Sequence, residues 1–261
     1  MGDKAGGGGG GALHGYADQS RDLLNSLVLV LPLLLVYQAG LFLTQGGILN
    51  GADFVSLLIL RQWGWQGLMI FNGVIIVAGI AGVAALRQKR RFDPNIIVPV
   101  AIESTVYAFL LGLVVTQILW RVGIRSAAWV TDADLGALPL AQGGPQGSIP
   151  ALVCLALGAG VNEEIVFRLG MFSGFIGVFR KFGAEKLGAV LGAVLVSSVL
   201  FSAAHHLGPE PFSLYAFAFR TLAGAIFCVI FAWRGLAVAA YSHAIYDVLV
   251  MVVYPLLAIL R

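Results

Sequence analysis

Charge is what this chain has least of. Sixteen lysines and arginines and 13 aspartates and glutamates are spread over 261 residues, so 11% of the chain is charged and 59% hydrophobic. Soluble domains run at roughly 25% charged and about 45–50% apolar, and a water-soluble fold is thereby excluded. Cysteine is nearly missing too. Cys154 and Cys228 both sit in apolar runs, which fits small buried residues and excludes a disulfide framework or a thiolate metal cluster. The net charge of +3 is what the cytoplasmic loops of a membrane protein carry, and no nucleic-acid partner is expected. Six consecutive glycines near the N-terminus lack the Lys-Ser/Thr of a phosphate loop. They read as part of a flexible tail over residues 1–20.

What is present is a series of apolar runs about 20 residues long, the length of a membrane-spanning helix and not of the short alternating strands of an outer-membrane barrel. The fold class is all-α, a polytopic transmembrane helical bundle of about seven to eight spans in the lipid bilayer. Seven are predicted, at Leu23 to Leu43, Gly67 to Leu86, Ile97 to Trp120, Ile149 to Val178, Leu187 to His206, Phe212 to Trp233 and Gly235 to Leu260. Gly51 to Trp65, ending in two tryptophans, is a candidate interfacial helix. A polar loop occupies Arg121 to Gly147. The chain divides into the tail, N-terminal helices and outer loop over 21–148, and a C-terminal helical core over 149–261. Arg87, Lys89, Arg90, Arg91, Arg180, Lys181, Lys186 and Arg234 fall on one side if the spans alternate. That side is expected to be cytoplasmic, with the N-terminus inside.

Few ionisable residues lie well inside the spans: Glu163, Glu164, Arg168, His205, His206, His243 and Asp247. Glu103 is nearer a span end and reads as interfacial. A charge at the bilayer centre costs about 2.5–3.5 kcal/mol on insertion scales, so the retained ones must face one another or a wet cavity. Glu164 and Arg168 are i, i+4 and can pair, which leaves Glu163 pointing elsewhere. His243 and Asp247 share one face of the seventh span by the same spacing, and Phe201 and His205 one face of the fifth. A carboxylate with two histidines and a third polar group can hydrolyse an amide. The free carboxylate would act as general base towards water, one histidine would hold that water, and a second histidine with Asp247 would donate to, or orient a donor for, the oxyanion. Each residue taken singly also has a structural reading: an ion pair for Glu164 and Arg168, an interfacial side chain for His206, a partner for His243 in Asp247. At ~1.5 Å per residue, Glu163 and His243 fall near mid-membrane while His205 comes close to the outer face, which favours a cavity open to the outside.

The residues spell E-E-x-x-x-R in "EEIVFR" (Glu163 to Arg168), F-x-x-x-H in "FSAAH" (Phe201 to His205) and H-x-x-x-D in "HAIYD" (His243 to Asp247). Three such motifs, in this order in three spans, resemble the CPBP family, the CAAX-protease and bacteriocin-processing (Abi) intramembrane proteases. The resemblance covers about Ile149 to Tyr254. It implies a glutamate-type intramembrane endopeptidase in which Glu163 activates water with the help of His205, Glu164 and Arg168 support the site, and His243 and Asp247 stabilise the oxyanion. Phe201 would be a supporting residue. Many members have asparagine where this chain has Asp247, and an aspartate donates only when protonated. No cofactor is expected. A zinc ion on Glu163, His205 and His243 is the alternative, since those are N and O ligands that zinc accepts, although no H-E-x-x-H spacing occurs.

The resemblance also implies a membrane-anchored protein or peptide as substrate: a C-terminal sorting signal, a lipidated protein or a bacteriocin-type precursor. The expected setting is a bacterial inner membrane. Two rival readings stay open on the residues alone. A proton-coupled transporter or channel would use the same groups as a relay, and a non-catalytic scaffold or immunity protein would retain the motifs without chemistry.

Overall fold

The computed structural model describes residues 8–44, 54–125, 148–207 and 212–259, and those residues are almost entirely helical, with no strand among them. Helix α1 covers Gly8–Arg21, α2 Leu23–Thr44, α3 Phe54–Arg87 and α4 Ile97–Arg121. Helix α5 spans Ile149–Lys181, α6 Lys186–His205, α7 Leu214–Arg234 and α8 Leu236–Leu257. Among the described residues seven helices, α2 to α8, are long and apolar enough to cross a membrane. The chain is an integral membrane protein. The expected polar loop falls on 126–147, outside the described residues, apart from its first residues.

Two stretches depart from expectation. The glycine-rich start is helical from Gly8 onwards, where a flexible tail is expected. Glycine disfavours helix by about 1 kcal/mol per residue, and tertiary ties from Tyr16 and Arg21 to other helices offset that cost. The proposed interfacial helix does not stand alone. It is the first part of α3, which changes direction at Gly64, whose φ of 65° and ψ of −167° interrupt the helical backbone. That left-handed value is open to glycine without steric cost.

The interior is organised around α8. Ala237, Val238, Ala239 and Ala240 are fully enclosed, because α4, α5, α2 and α7 all pack against this helix. Small side chains let the backbones approach, the usual device where lipid supplies no hydrophobic drive between helices. The outward faces carry leucine, as at Leu187, Leu191 and Leu195 of α6, each more than half exposed. Polar residues in the N-terminal helices are paired: Gln38 Nε2 donates to Asn72 Oδ1 at 2.9 Å, and Asn72 Nδ2 donates to the Leu68 carbonyl at 2.9 Å.

Helices α5 and α8 are not regular throughout. The stretch Ala159–Phe172 of α5 is π-wound, between α-helical Ile149–Gly158 and Ser173–Lys181. Helix α8 is α-helical over Leu236–Val248 and π-wound over Leu249–Val253. Such i→i+5 winding is rare and is found mostly at functional sites. Here it begins where α5 comes closest to α8. A Cβ on Gly160 would lie 2.6 Å from the Ala244 Cβ and 2.7 Å from the Ala240 carbonyl oxygen and the Ala244 nitrogen.

This contact gives the first prediction. Gly160→Ala forces backbone against backbone and should destabilise the fold by about 1–3 kcal/mol, as overpacking does. Gly174→Ala, whose Cβ meets nothing within 4 Å, should be neutral or gain up to about 1 kcal/mol in helix propensity. Denaturation of the two variants in the same detergent checks the contrast.

Candidate active site

Three helices deliver the site. The π-wound stretch of α5 carries Glu163, Glu164 and Arg168, the last turn of α6 carries Phe201 and His205, and the middle of α8 carries His243 and Asp247. Glu163, Glu164 and Arg168 are buried to 1% exposure or less, so each charge must find partners inside the protein. The structure brings all seven residues together.

Arg168 Nη1 lies 3.0 Å from Glu164 Oε1, the i, i+4 pair expected from the sequence. Its Nη2 reaches the Gly224 carbonyl on α7 at 3.4 Å. The guanidinium also stands 4.3 Å from the Phe201 ring centroid and 5.2 Å from that of Phe227. Cation–π attraction is stronger in such a desolvated setting than at a surface. Phe201 is the hub: its ring also meets Phe167 edge-on at 5.2 Å and lies 4.8 Å from His205 and 5.9 Å from His243.

Each histidine ring is held by one nitrogen and aimed by the other. His205 Nδ1 is 2.8 Å from the Phe201 carbonyl oxygen. A carbonyl only accepts, so Nδ1 carries the hydrogen and Nε2 points the opposite way. That Nε2 lies 3.6 Å from Glu163 Oε2. His243 Nδ1 donates to Glu164 Oε1 at 2.8 Å, while Phe227 stacks on the ring with centroids 4.6 Å apart. Its Nε2 lies 3.7 Å from the same Glu163 Oε2 and 3.6 Å from Asp247 Oδ2. One carboxylate oxygen of Glu163 therefore lies within 3.7 Å of two imidazole nitrogens from different helices, just beyond direct hydrogen-bond length.

Glu163 points away from the Glu164–Arg168 pair and towards His205, as that pairing led us to expect. Both glutamates face His243, through different nitrogens. The wider turn of the π-winding sets successive side chains closer in direction than an α-helix does. The Asp247 and His205 side chains are 15% and 16% exposed, against 1% for Glu163. The rim of the site is thus formed by the end of α6 and the middle of α8, with Glu163 beneath it.

Other residues are placed differently from their sequence readings. His206 is apart from the cluster, its ring 5.1 Å from Phe212 and 5.9 Å from Phe217. Glu103 and Arg234, read as interfacial and as a loop cation, are joined in a largely enclosed ion pair. Phe227 and Arg220 were missed. Nothing marks Phe227 in an apolar run, but Arg220 is a cation inside an apolar span, and it lies within electrostatic reach of His205 and Asp247. The zinc alternative would use Glu163 Oε2, His205 Nε2 and His243 Nε2, the two nitrogens standing 3.6 and 3.7 Å from that oxygen.

No curated protein and no solved structure matches the chain. A family model described as type II CAAX prenyl endopeptidase Rce1-like matches residues 145–249, a stretch that contains all three motifs and every residue of the cluster. Over those residues the chain is similar to that family.

Proposed function

We propose that the protein is a glutamate-dependent intramembrane endopeptidase acting on a membrane-anchored protein or peptide. The observation that carries the reading is the placement of the buried Glu163 Oε2 atom 3.6 Å from His205 Nε2 and 3.7 Å from His243 Nε2, within the stretch that matches the Rce1-like family model.

A water bridging Glu163 and His205 donates one hydrogen to each acceptor and turns its lone pair towards the substrate carbonyl. Glu163 removes the proton as the water oxygen bonds to the carbonyl carbon. The carbonyl π-electrons move onto oxygen, and the resulting oxyanion accepts a hydrogen bond from His243. A ring whose two nitrogens face Glu164 on one side and Glu163 with Asp247 on the other is a donor at both. Asp247 thus acts by holding His243, and it needs no proton of its own. Glu163 then returns its proton to the leaving amine as the carbon–nitrogen bond breaks, which restores the carboxylate. Glu164 and Arg168 act as positioning residues: they fix the His243 ring and neutralise one buried carboxylate.

The rim at the partly exposed His205 and Asp247 is where the substrate would enter. With alternating spans and the lysine- and arginine-rich ends in the cytoplasm, that rim faces outward, as suits an exported substrate carrying a C-terminal sorting signal. A bacterial inner membrane is the setting we infer. The mechanism needs no metal.

Two measurements test this. The termini of membrane and surface proteins should be compared between strains expressing the wild-type chain and Glu163→Gln at equal levels. A defined set should lose its processed terminus in the variant; identical termini would end the peptidase reading and favour a proton relay or a scaffold. On the substrate so identified, Glu163→Gln should cost at least about a thousandfold in kcat, in the range seen for residues acting as a unit. Dialysis of the purified enzyme against a strong zinc chelator should leave the rate unchanged. A loss restored by added zinc would instead establish the metal alternative.

A further inference from the structure

A second buried charged cluster lies away from the active site, at the start of α8. Arg234, 6% exposed, closes α7 and forks onto Glu103 of α4, with Nε 2.7 Å from Oε1 and Nη2 2.8 Å from Oε2. Tyr16 of α1 donates its hydroxyl to Glu103 Oε2 at 2.6 Å, and Tyr107 donates to Oε1 at 2.7 Å. The Arg234 guanidinium also lies 4.5 Å from the Tyr16 ring centroid. One carboxylate thus accepts four hydrogen bonds from three helices, more than neutralising its charge requires. Burial and the adjacent Glu103 carboxylate push the Tyr16 phenol up, which keeps it a donor.

The same few residues grip the α7–α8 turn from outside. Arg21 Nε donates to the Trp233 carbonyl at 2.5 Å. Gly235, at φ 87°, passes so close to α1 that a Cβ there would stand 2.6 Å from the Ser20 carbonyl oxygen. Just beyond the turn, Ser104, next to Glu103 on α4, donates to the Val238 carbonyl at 3.3 Å. From this anchor the chain runs as unbroken α-helix over Leu236–Val248, a rigid rod with a rise of ~1.5 Å per residue. It presents His243 and Asp247 to Glu163.

We propose that Tyr16, Glu103 and Arg234 are positioning residues for the active site: with α1 laid across the α7–α8 turn, they fix the depth and rotation of α8 and so the reach of His243 to Glu163. The inference rests on the peptidase reading for what α8 positions, but its hold on α8 is measurable without activity.

The test uses the full chain in liposomes as wild type, Tyr16→Phe, Glu103→Gln, the double variant and Glu163→Gln. Tyr16→Phe removes one hydroxyl and leaves the ring over Arg234. Amide hydrogen exchange over residues 236–248 should rise about two- to tenfold, the range for loss of one hydrogen bond, with exchange in α2 and α6 unchanged. On the substrate found by the terminus comparison, kcat should fall about tenfold with KM unchanged, since a displacement of ~1 Å from a remote change can cost about a hundredfold. The double variant should be no slower than Glu103→Gln alone, because Tyr16 acts through Glu103. If Tyr16→Phe and Glu103→Gln keep the wild-type kcat within about twofold while Glu163→Gln is inactive, the inference is overturned and the peptidase reading stands. If the wild type shows no Glu163-dependent cleavage, the peptidase reading falls. Exchange over 236–248 then decides alone: a rise confined to that segment upholds the hold on α8, and no rise overturns it.

Discussion

The contact on which the rest depends is the approach of α5 to α8 at Gly160. Only a residue without a Cβ lets the α5 backbone come against Ala240 and Ala244, and only small residues on α8 leave space for it. From that contact the geometry of the site follows. Three to four residues further along α5, Glu163 and Glu164 lie within reach of His243, itself one residue from Ala244 on α8. Gly158 extends the same logic outward: a Cβ there would fall 2.1 Å from the Tyr37 ring, so α2 closes over the same segment. With bulkier residues along this line the helices would stand apart, and the carboxylates would be left without partners in a medium that penalises them by several kcal/mol.

The charged groups explain why the approach has to be close. Glu164 bonds to Arg168 and to His243, and Arg168 spreads its charge over two aromatic faces and a carbonyl. These are short contacts in an enclosed place, where electrostatic interactions are strong and uncompensated ones are costly. Glu164, Arg168, Phe201 and Phe227 form a rigid frame. The frame leaves the His243 ring one orientation, and the Phe201 carbonyl leaves the His205 ring one as well. On the peptidase reading, preorganisation of this kind would spare the site rearrangement as charge develops on a bound carbonyl.

Much of this was legible in the sequence, and the legible part has a physical reason. Membrane spans announce themselves through long apolar runs, and a chain so poor in charge makes each intramembrane glutamate, arginine or histidine conspicuous. Hence the bundle, the three motifs and the convergence of Glu163, Glu164, Arg168, Phe201, His205, His243 and Asp247. What was not legible depends on local winding or on contacts between distant elements. The π-winding of Ala159–Phe172 has no compositional mark, and the joint approach of Glu163 and Glu164 to His243 could not be read without it. Phe227 looks like any lipid-facing or core phenylalanine until its stacking on His243 is seen. Glu103 and Arg234 each sit near a span end, which is the ordinary place for an interfacial charge. Their pairing joins residues 131 positions apart, so no short-range pattern could reveal it. Tyr16 follows six glycines in a stretch of low helix propensity, and its place is set by tertiary contacts alone.

The two charged clusters on either part of α8 differ in a way that separates structural from chemical burial. At Glu103 four donors approach the carboxylate to 2.6–2.8 Å, and both oxygens are saturated with protein partners. Such a group has no capacity left for a reacting molecule. At Glu163 the histidine nitrogens stand at 3.6 and 3.7 Å, beyond direct hydrogen bonding and at the spacing that a bridging water fills. The cost of burying a carboxylate is borne in both places, but at Glu103 it is offset by contacts that lock helices together. At Glu163 the surrounding frame is locked instead, and the carboxylate oxygen is held at longer range from its two histidines. On the peptidase reading proposed above, that longer spacing is what a site taking up a water and a peptide carbonyl would use.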